Sequence, residues 1–392
     1  MLNPRPRRPH PALFPVLSGS LLYLAACASQ PASFDSVAHT RTEAEARLSS
    51  EQSARFVVPY RLTPEILQRL ETRAKPAVRE TIRTQQVLDF IFDDVGLRYS
   101  LRPTRDAGDT FASAEGNCLS FVNLFVGVGR HYRMNPFYVE VRDHQRWRHS
   151  DGLVLSQGHM VAGMHVNGEL QTFDFLPYRA KSYRNFAPID DVNAAAHFYN
   201  NLAAEAMMDG DLDEALRLVE MAVSLAPRFE KAINNRGVIL ARRGDFEAAL
   251  AAYRSGLEIS PQDVALRSNL ARLYQTMGNE DEAHEILAGI EELKTTNPYF
   301  YLFQAERSRF DGNLDRALDY LRRALRVDSE VPEVHVGLAN YFLDVGDLDK
   351  ARHHVDRALR LDATHREARR LAEALDQASR GEGGDTSTGT DR

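Results

Sequence analysis

Of the two cysteines in the 392-residue chain, Cys118 is the one whose setting suits chemistry. It follows Gly116-Asn117 and opens a run in which Phe121, Leu124, Phe125 and Val128 recur at helical spacing. A cysteine in the first turn of a helix faces the positive end of the macrodipole and backbone N–H groups that lack an intrahelical partner. Both favour the thiolate, which is the nucleophile, and the same N–H groups can hold an oxyanion. Cys27 closes an N-terminal apolar run and is spoken for there, so Cys118 is a lone thiol with no internal disulfide partner.

The stretch around Cys118 resembles the transglutaminase-like core, in which a Gly-x-Cys opens the first core helix and a His and an Asp follow on neighbouring strands. The resemblance implies a papain-like α+β domain with Cys118 as nucleophile, His159 of Gly158-His159-Met160 as general base, and Asp174 of Phe173-Asp174-Phe175 as the group orienting the histidine. Met160-Val161 stand where relatives often carry an aromatic residue, and Met134-Asn135 where they usually carry glycine. Asn167-Gly168 between two alternating runs signals a two-residue hairpin. A turn there sets Val161 opposite Asp174, and makes His159 the diagonal neighbour of Asp174 on one face, at ~7–8 Å between Cα atoms. Competing histidines fit less well: His131 is ~20 Å along the same helix, His165 sits beside the turn, and His144 and His149 fall in a charged segment, Arg142 to Asp151, read as a loop. No metal site and no cofactor is expected, because no His/Cys pair has ligand spacing and the thiol is single.

The elements that must position these groups follow a change of period. Thr63-Pro64-Glu65 is a helix start, and Gln85 to Val95 and Leu119 to Tyr132 have helical spacing. Pro136 to Val141, Gly152 to Leu155, His159 to Val166 and Leu170 to Leu176 alternate as strands do. Helices followed by antiparallel strands indicate α+β.

From Ala196 to His365 the chain repeats itself every 34 residues. Gly210, Gly244, Gly278, Gly312 and Gly346 form one row, Ala215, Ala249, Ala283, Ala317 and Ala351 a second, and Ala203, Gly237, Ala271, Ala305 and Ala339 a third. Small residues in register, with glycine in the turn, are what close packing of paired helices needs. The order of small, glycine, alanine and small positions, with Pro227 and Pro261 ending the first two units, resembles the tetratricopeptide repeat. That implies an all-α solenoid of five units over 196–378, closed by a capping helix from Arg366 to Ala378, whose concave face takes a protein or peptide. Asn200, Asn234, Arg242, Arg272, Gln275, Arg309 and Asn340 are the expected groove residues, and an acidic or C-terminal peptide would suit the cations among them.

At the N-terminus, Arg5, Arg7 and Arg8 precede an apolar run from Ala12 to Ala26 that is shorter than the ~20 residues a bilayer span needs. Leu24-Ala25-Ala26-Cys27 resembles the bacterial lipobox, which implies lipidation at Cys27. With Ala28 in place of aspartate, the same resemblance implies an anchor in the outer membrane, facing the periplasm. Residues 1–26 then read as signal, 27–54 as membrane tether, 55–190 as the transglutaminase-like domain and 379–392 as a disordered tail. The formal charge of −7 becomes more negative once three arginines leave with the signal, a poor balance for binding nucleic acid. The functional expectation is a cysteine acyltransferase or amide hydrolase joined to a protein-binding scaffold. A catalytically silent adaptor is the alternative.

Overall fold

The computed structural model describes residues 35–382, apart from 74, 101, 151–152, 176–184, 292–297 and 364; side chains of 143–158, 291 and 378–382 are also outside the description. The signal, the Cys27 anchor and the tail beyond 382 lie outside the described residues.

The first helices are α1 (Ser36–Glu45), α2 (Ser50–Arg55), α3 (Pro64–Glu71) and α4 (Glu80–Asp89), the last continuing as a π turn through Asp94. The tether reading of 27–54 is therefore corrected from residue 36 onward. Asp35 caps α1 by accepting from the N–H groups of Val37 and Ala38, and Ser49 with Gln52 forms a capping box on α2. The stretch looked like linker because α1 buries only Thr40 and Ala44, too few apolar residues to leave a periodic trace. Polar contacts hold it instead: Thr40 Oγ1 bonds to the Tyr60 hydroxyl at 2.8 Å and donates to Asp191 at 3.0 Å.

Short strands β1 (Arg98–Tyr99) and β2 (Glu115–Gly116) pair in parallel around α5 (Ala107–Ser113), and α6 (Cys118–His131) follows directly. A four-stranded sheet is built from β3 (Phe137–Ser150), β4 (Leu153–Val166), β5 (Glu169–Phe173) and β6 (Phe186–Ile189) in the order β5-β4-β3-β6. β3 runs on through Arg142 to Ser150, so that segment is strand and not the loop expected. Met160, Ala162 and Met164 of β4 join the core around α6, whereas Val161 clusters with Val139 and Val141. That division is the period-two alternation of a sheet covered on both faces.

Helix pairs follow: α7 (Asp191–Met208) with α8 (Leu212–Leu225), α9 (Glu230–Arg243) with α10 (Phe246–Ile259), and α11 (Val264–Thr276) with α12 (Glu280–Glu291). All belong to one compact unit with the described residues from Asp35 to His144 and from Leu153 to Ile290. The domain boundary expected at 190–196 is thus not a boundary between compact units. Its physical cause is a set of buried ionic contacts crossing it. Arg130 of α6 donates to both oxygens of Asp191 at 2.7 and 2.9 Å, and Lys231 of α9 pairs with Glu140 of β3. The second unit, Gln145–Gly152 with Glu291–Arg392, contains α13 (Pro298–Phe310), α14 (Leu314–Val327), α15 (Pro332–Asp344), α16 (Leu348–Leu361) and α17 (Arg366–Glu382).

The five turn glycines all have φ between +76° and +88°, as their row implies. The third row acts by space. A Cβ on Gly237 would lie 2.4 Å from the Tyr253 ring, which is fully buried. Gly237→Ala is therefore expected to cost about 1–3 kcal/mol through overpacking. Gly278→Ala, with nothing near its Cβ position but φ at +83°, should cost about 1 kcal/mol through strain alone. Urea melts of the two variants check the order.

Candidate functional site

Asn117 is the N-cap of α6, with its side-chain oxygen accepting from the Ser120 N–H at 3.1 Å, and Cys118 is therefore the first helical residue. Its N–H has no intrahelical acceptor, and the helix dipole ends beneath its sulfur. Gly116 must be glycine for this approach, because a Cβ there would lie 2.5 Å from the Ser120 side chain. Ser120 and Asn123, both buried, pin the helix to the preceding loop: Ser120 Oγ accepts from Arg105 N at 2.8 Å, and Asn123 donates to Arg105 O at 3.1 Å. Tyr138 of β3 then donates to Asn123 at 2.9 Å, which ties the sheet to the same helix.

The hairpin delivers the other two groups. Asn167 and Gly168 have φ of +53° and +83°, the signature of a type I′ turn. The register runs from Val166↔Glu169 to Ala162↔Phe173, the pairing that the turn implied from sequence. Phe173 and Phe175 pack on Phe125 at 4.8 and 5.7 Å between centroids, which leaves Asp174 on the opposite face. There His159 Nε2 lies 3.1 Å from Asp174 Oδ1. His159 and the Met160 N–H both act on the Cys118 thiol and favour its charged form. With Nε2 engaged by Asp174, Nδ1 is the nitrogen left for sulfur.

Burial alone would push the thiol up, but the hydrogen bond to His159, the imidazolium charge and the Met160 N–H together bring it below an ordinary thiol. His159 moves the other way, pushed up to about 9, because the bonds and charges of Asp174 and Cys118 outweigh a burial that would lower it. With His159 and Asp174 only 7% and 11% exposed, little solvent screens the three. Both shifts favour a thiolate beside an imidazolium. Cys118 as a residue is partly exposed, although its thiol is buried against His159. Thiol, imidazole, orienting carboxylate and a first-turn N–H are the parts that nucleophilic acyl chemistry uses.

The other histidines are placed apart. His131 ends α6, and His165 lies on β4 near the turn with its ring 5.9 Å from Phe137. The side chains of His144 and His149 lie outside the described residues.

The expected groove residues divide. Asn200 and Asn234 are 3% and 1% exposed and join a ladder of amides, Asn235 donating to Asn200 at 2.9 Å and Asn269 donating to Asn234 at 2.8 Å. They link α7, α9 and α11 and do not offer free groups to a ligand, which corrects their assignment as groove contacts. β4 lies against α9 and α11, so the chain's own sheet occupies the inner helices of the second and third repeats. Arg242 and Arg272 are half-buried and Gln275 is exposed. In the second unit Arg309 pairs with Asp344, and Asn340 donates to Glu367 at 3.1 Å.

Sequence reading missed Thr104, Glu205, Asn123 and Tyr138, which support the helix that carries Cys118. Asn117 before an apolar run was a visible capping signal; its distant partners left none.

Comparison with known proteins matches the tetratricopeptide repeat family over residues 200–264, 240–306 and 311–377, and these residues are tetratricopeptide repeats. Among curated proteins, Tetratricopeptide repeat protein 8 of Caenorhabditis elegans is 28% identical over 91 residues, 23% of this chain and 18% of its own length. Photosystem I assembly protein Ycf3 of Prochlorococcus marinus is 30% identical over 105 residues, 24% of this chain and 61% of its own. The chain thus spans less than two thirds of either relative. Among solved structures, a thermophilic TPR protein of Thermus thermophilus is 22% identical, with TM-score 0.37, over 46% of this chain and 98% of its own.

Proposed function

We propose that this chain is a cysteine acyltransferase or amide hydrolase whose tetratricopeptide repeats bind a protein partner, anchored by lipid at Cys27 to the envelope membrane. The observation that carries the enzymatic reading is the thiol–imidazole–carboxylate chain at the N-terminus of α6, in the order and with the roles that the resemblance to transglutaminases implies. The Cys118 thiolate attacks a protein or peptide amide carbonyl. Negative charge on the tetrahedral oxygen falls near the Cys118 N–H, and the His159 imidazolium protonates the departing amine. That leaves an acyl-thioester and a neutral imidazole, which takes a proton from the acceptor, water or a second amine, as the acceptor attacks. Asp174 keeps the ring oriented throughout and stabilises its charge.

A second reading, a silent adaptor, draws support from the family matches, which fall on residues 200–377. Cys118 alkylation separates the two. In the catalytic reading, iodoacetamide labelling rises at a pH well below the value of about 8.5 for a free thiol, and His159→Ala returns the midpoint to that range. Acyl transfer should also fall as pH passes about 9, where the imidazolium loses its proton. A wild-type thiol that titrates as free cysteine favours the adaptor.

A further inference from the structure

The side chains that hold the α6 terminus form a chain of hydrogen bonds with one fixed direction, and it starts in the repeats. Glu205 of α7, the first repeat helix, accepts from Thr104 N at 2.8 and 3.0 Å and from the Thr104 hydroxyl at 2.8 Å. A carboxylate can only accept, so the Thr104 proton is spent there and its oxygen is left to accept from Asn117 Nδ2, at 2.6 Å. That contact settles which way the Asn117 amide faces: its oxygen turns to the N–H and hydroxyl of Ser120, each at 3.1 Å. Thr104, Asn117 and Ser120 are 4%, 8% and 0% exposed, so water is a poor substitute for any link. Arg102 pairs with Asp209 beside the same stretch, a second tie from this loop to α7.

We propose that Glu205 is a positioning residue for Cys118: through Thr104 and Asn117 it sets the polarity of the α6 N-cap and so keeps the amide end of the helix beneath the thiol. The repeats are then part of the active-site scaffold as well as a partner-binding element. This inference rests on the reading of Cys118 as nucleophile.

Glu205→Gln tests it with little change of volume. Glutamine offers one acceptor and one donor where Thr104 presents two protons. If its amide nitrogen meets the Thr104 hydroxyl, that hydroxyl turns its proton toward Asn117 and the Asn117 amide must rotate out of the cap. If its oxygen meets the hydroxyl, two N–H groups collide. Asn117→Asp alone sets two carboxylates on one hydroxyl proton. The two changes together agree again, since the introduced carboxylate accepts from Thr104 and from the Ser120 N–H.

The measurement is the pH profile of Cys118 alkylation by iodoacetamide, with thermal melting, in the full chain and three variants. Glu205→Gln is expected to slow labelling at pH 7 about fivefold and to move the midpoint upward, an effect of the size a helix terminus exerts. Asn117→Asp alone should also be slowed. The double variant should label faster than either single and melt above both. An unchanged profile in Glu205→Gln, or a double variant slower than both singles, overturns the proposal. Should the singles not fold, folding of the double alone supports the chain, and an unfolded double overturns it. A wild-type thiol that titrates as free cysteine removes the catalytic reading and this inference with it. An activated wild-type thiol with an unaffected Glu205→Gln removes this inference only.

Discussion

Cys118→Ala is expected to leave the fold intact and to lower acyl transfer or hydrolysis by at least about 10³-fold, the scale on which removal of a nucleophile acts. The residue is small and partly exposed, so its loss opens no large cavity. His159→Ala should be comparably severe, because it removes both the charge that stabilises the thiolate and the proton for the leaving amine. Asp174→Asn keeps the shape but can offer an N–H to Nε2, which favours the wrong tautomer; a loss of about 10²–10⁴-fold is expected. The double variant Cys118→Ala/Asp174→Asn should be no worse than Cys118→Ala, because the three groups act as one unit. Steady-state rates on one acyl substrate with the four variants check the pattern.

The largest effect on stability is expected at Asp191. Its carboxylate accepts two hydrogen bonds from Arg130 and one from Thr40, with the Tyr60 hydroxyl 3.0 Å away, and the Arg130 and Asp191 side chains are only 18% and 20% exposed. The Arg130 guanidinium also lies 4.5 Å from the centroid of the Tyr60 ring. Asp191→Ala leaves this cation without its partner, at a cost of about 3–5 kcal/mol. In a unit of this size that corresponds to roughly 5–10 °C in melting temperature. Asp191→Leu with Arg130→Met should be less damaging than either single change, since no charge is then left unpaired. A chain ended at residue 190 loses Asp191, Glu205 and Lys231 together and should lack a cooperative melt, although the sequence suggested a domain over 55–190.

What the sequence made legible was local. The place of Cys118 at the head of a helix followed from Asn117 and the apolar spacing after it. The hairpin register followed from Asn167-Gly168 and period-two alternation, because a two-residue turn leaves one pairing. The glycine row announced a left-handed residue in each repeat turn. What escaped were contacts between residues far apart in the chain. Thr104 and Glu205 are 101 residues apart and Tyr60 and Asp191 131 apart, and single polar pairs leave no period to detect. The same limit explains why Asn200 and Asn234 read as open groove positions. Their faces were legible, but the sheet lying against α9 and α11 and the neighbouring amides were not.

The central claim is that Cys118 is an activated acyl-accepting nucleophile. A pre-steady-state burst with p-nitrophenyl acetate tests it most directly, followed by mass spectrometry of the quenched protein. The account predicts a burst of p-nitrophenolate near one equivalent, an acetyl group on Cys118 that hydroxylamine removes, and loss of both in His159→Ala. No burst, or acetylation at the same rate in Cys118→Ala, would contradict it.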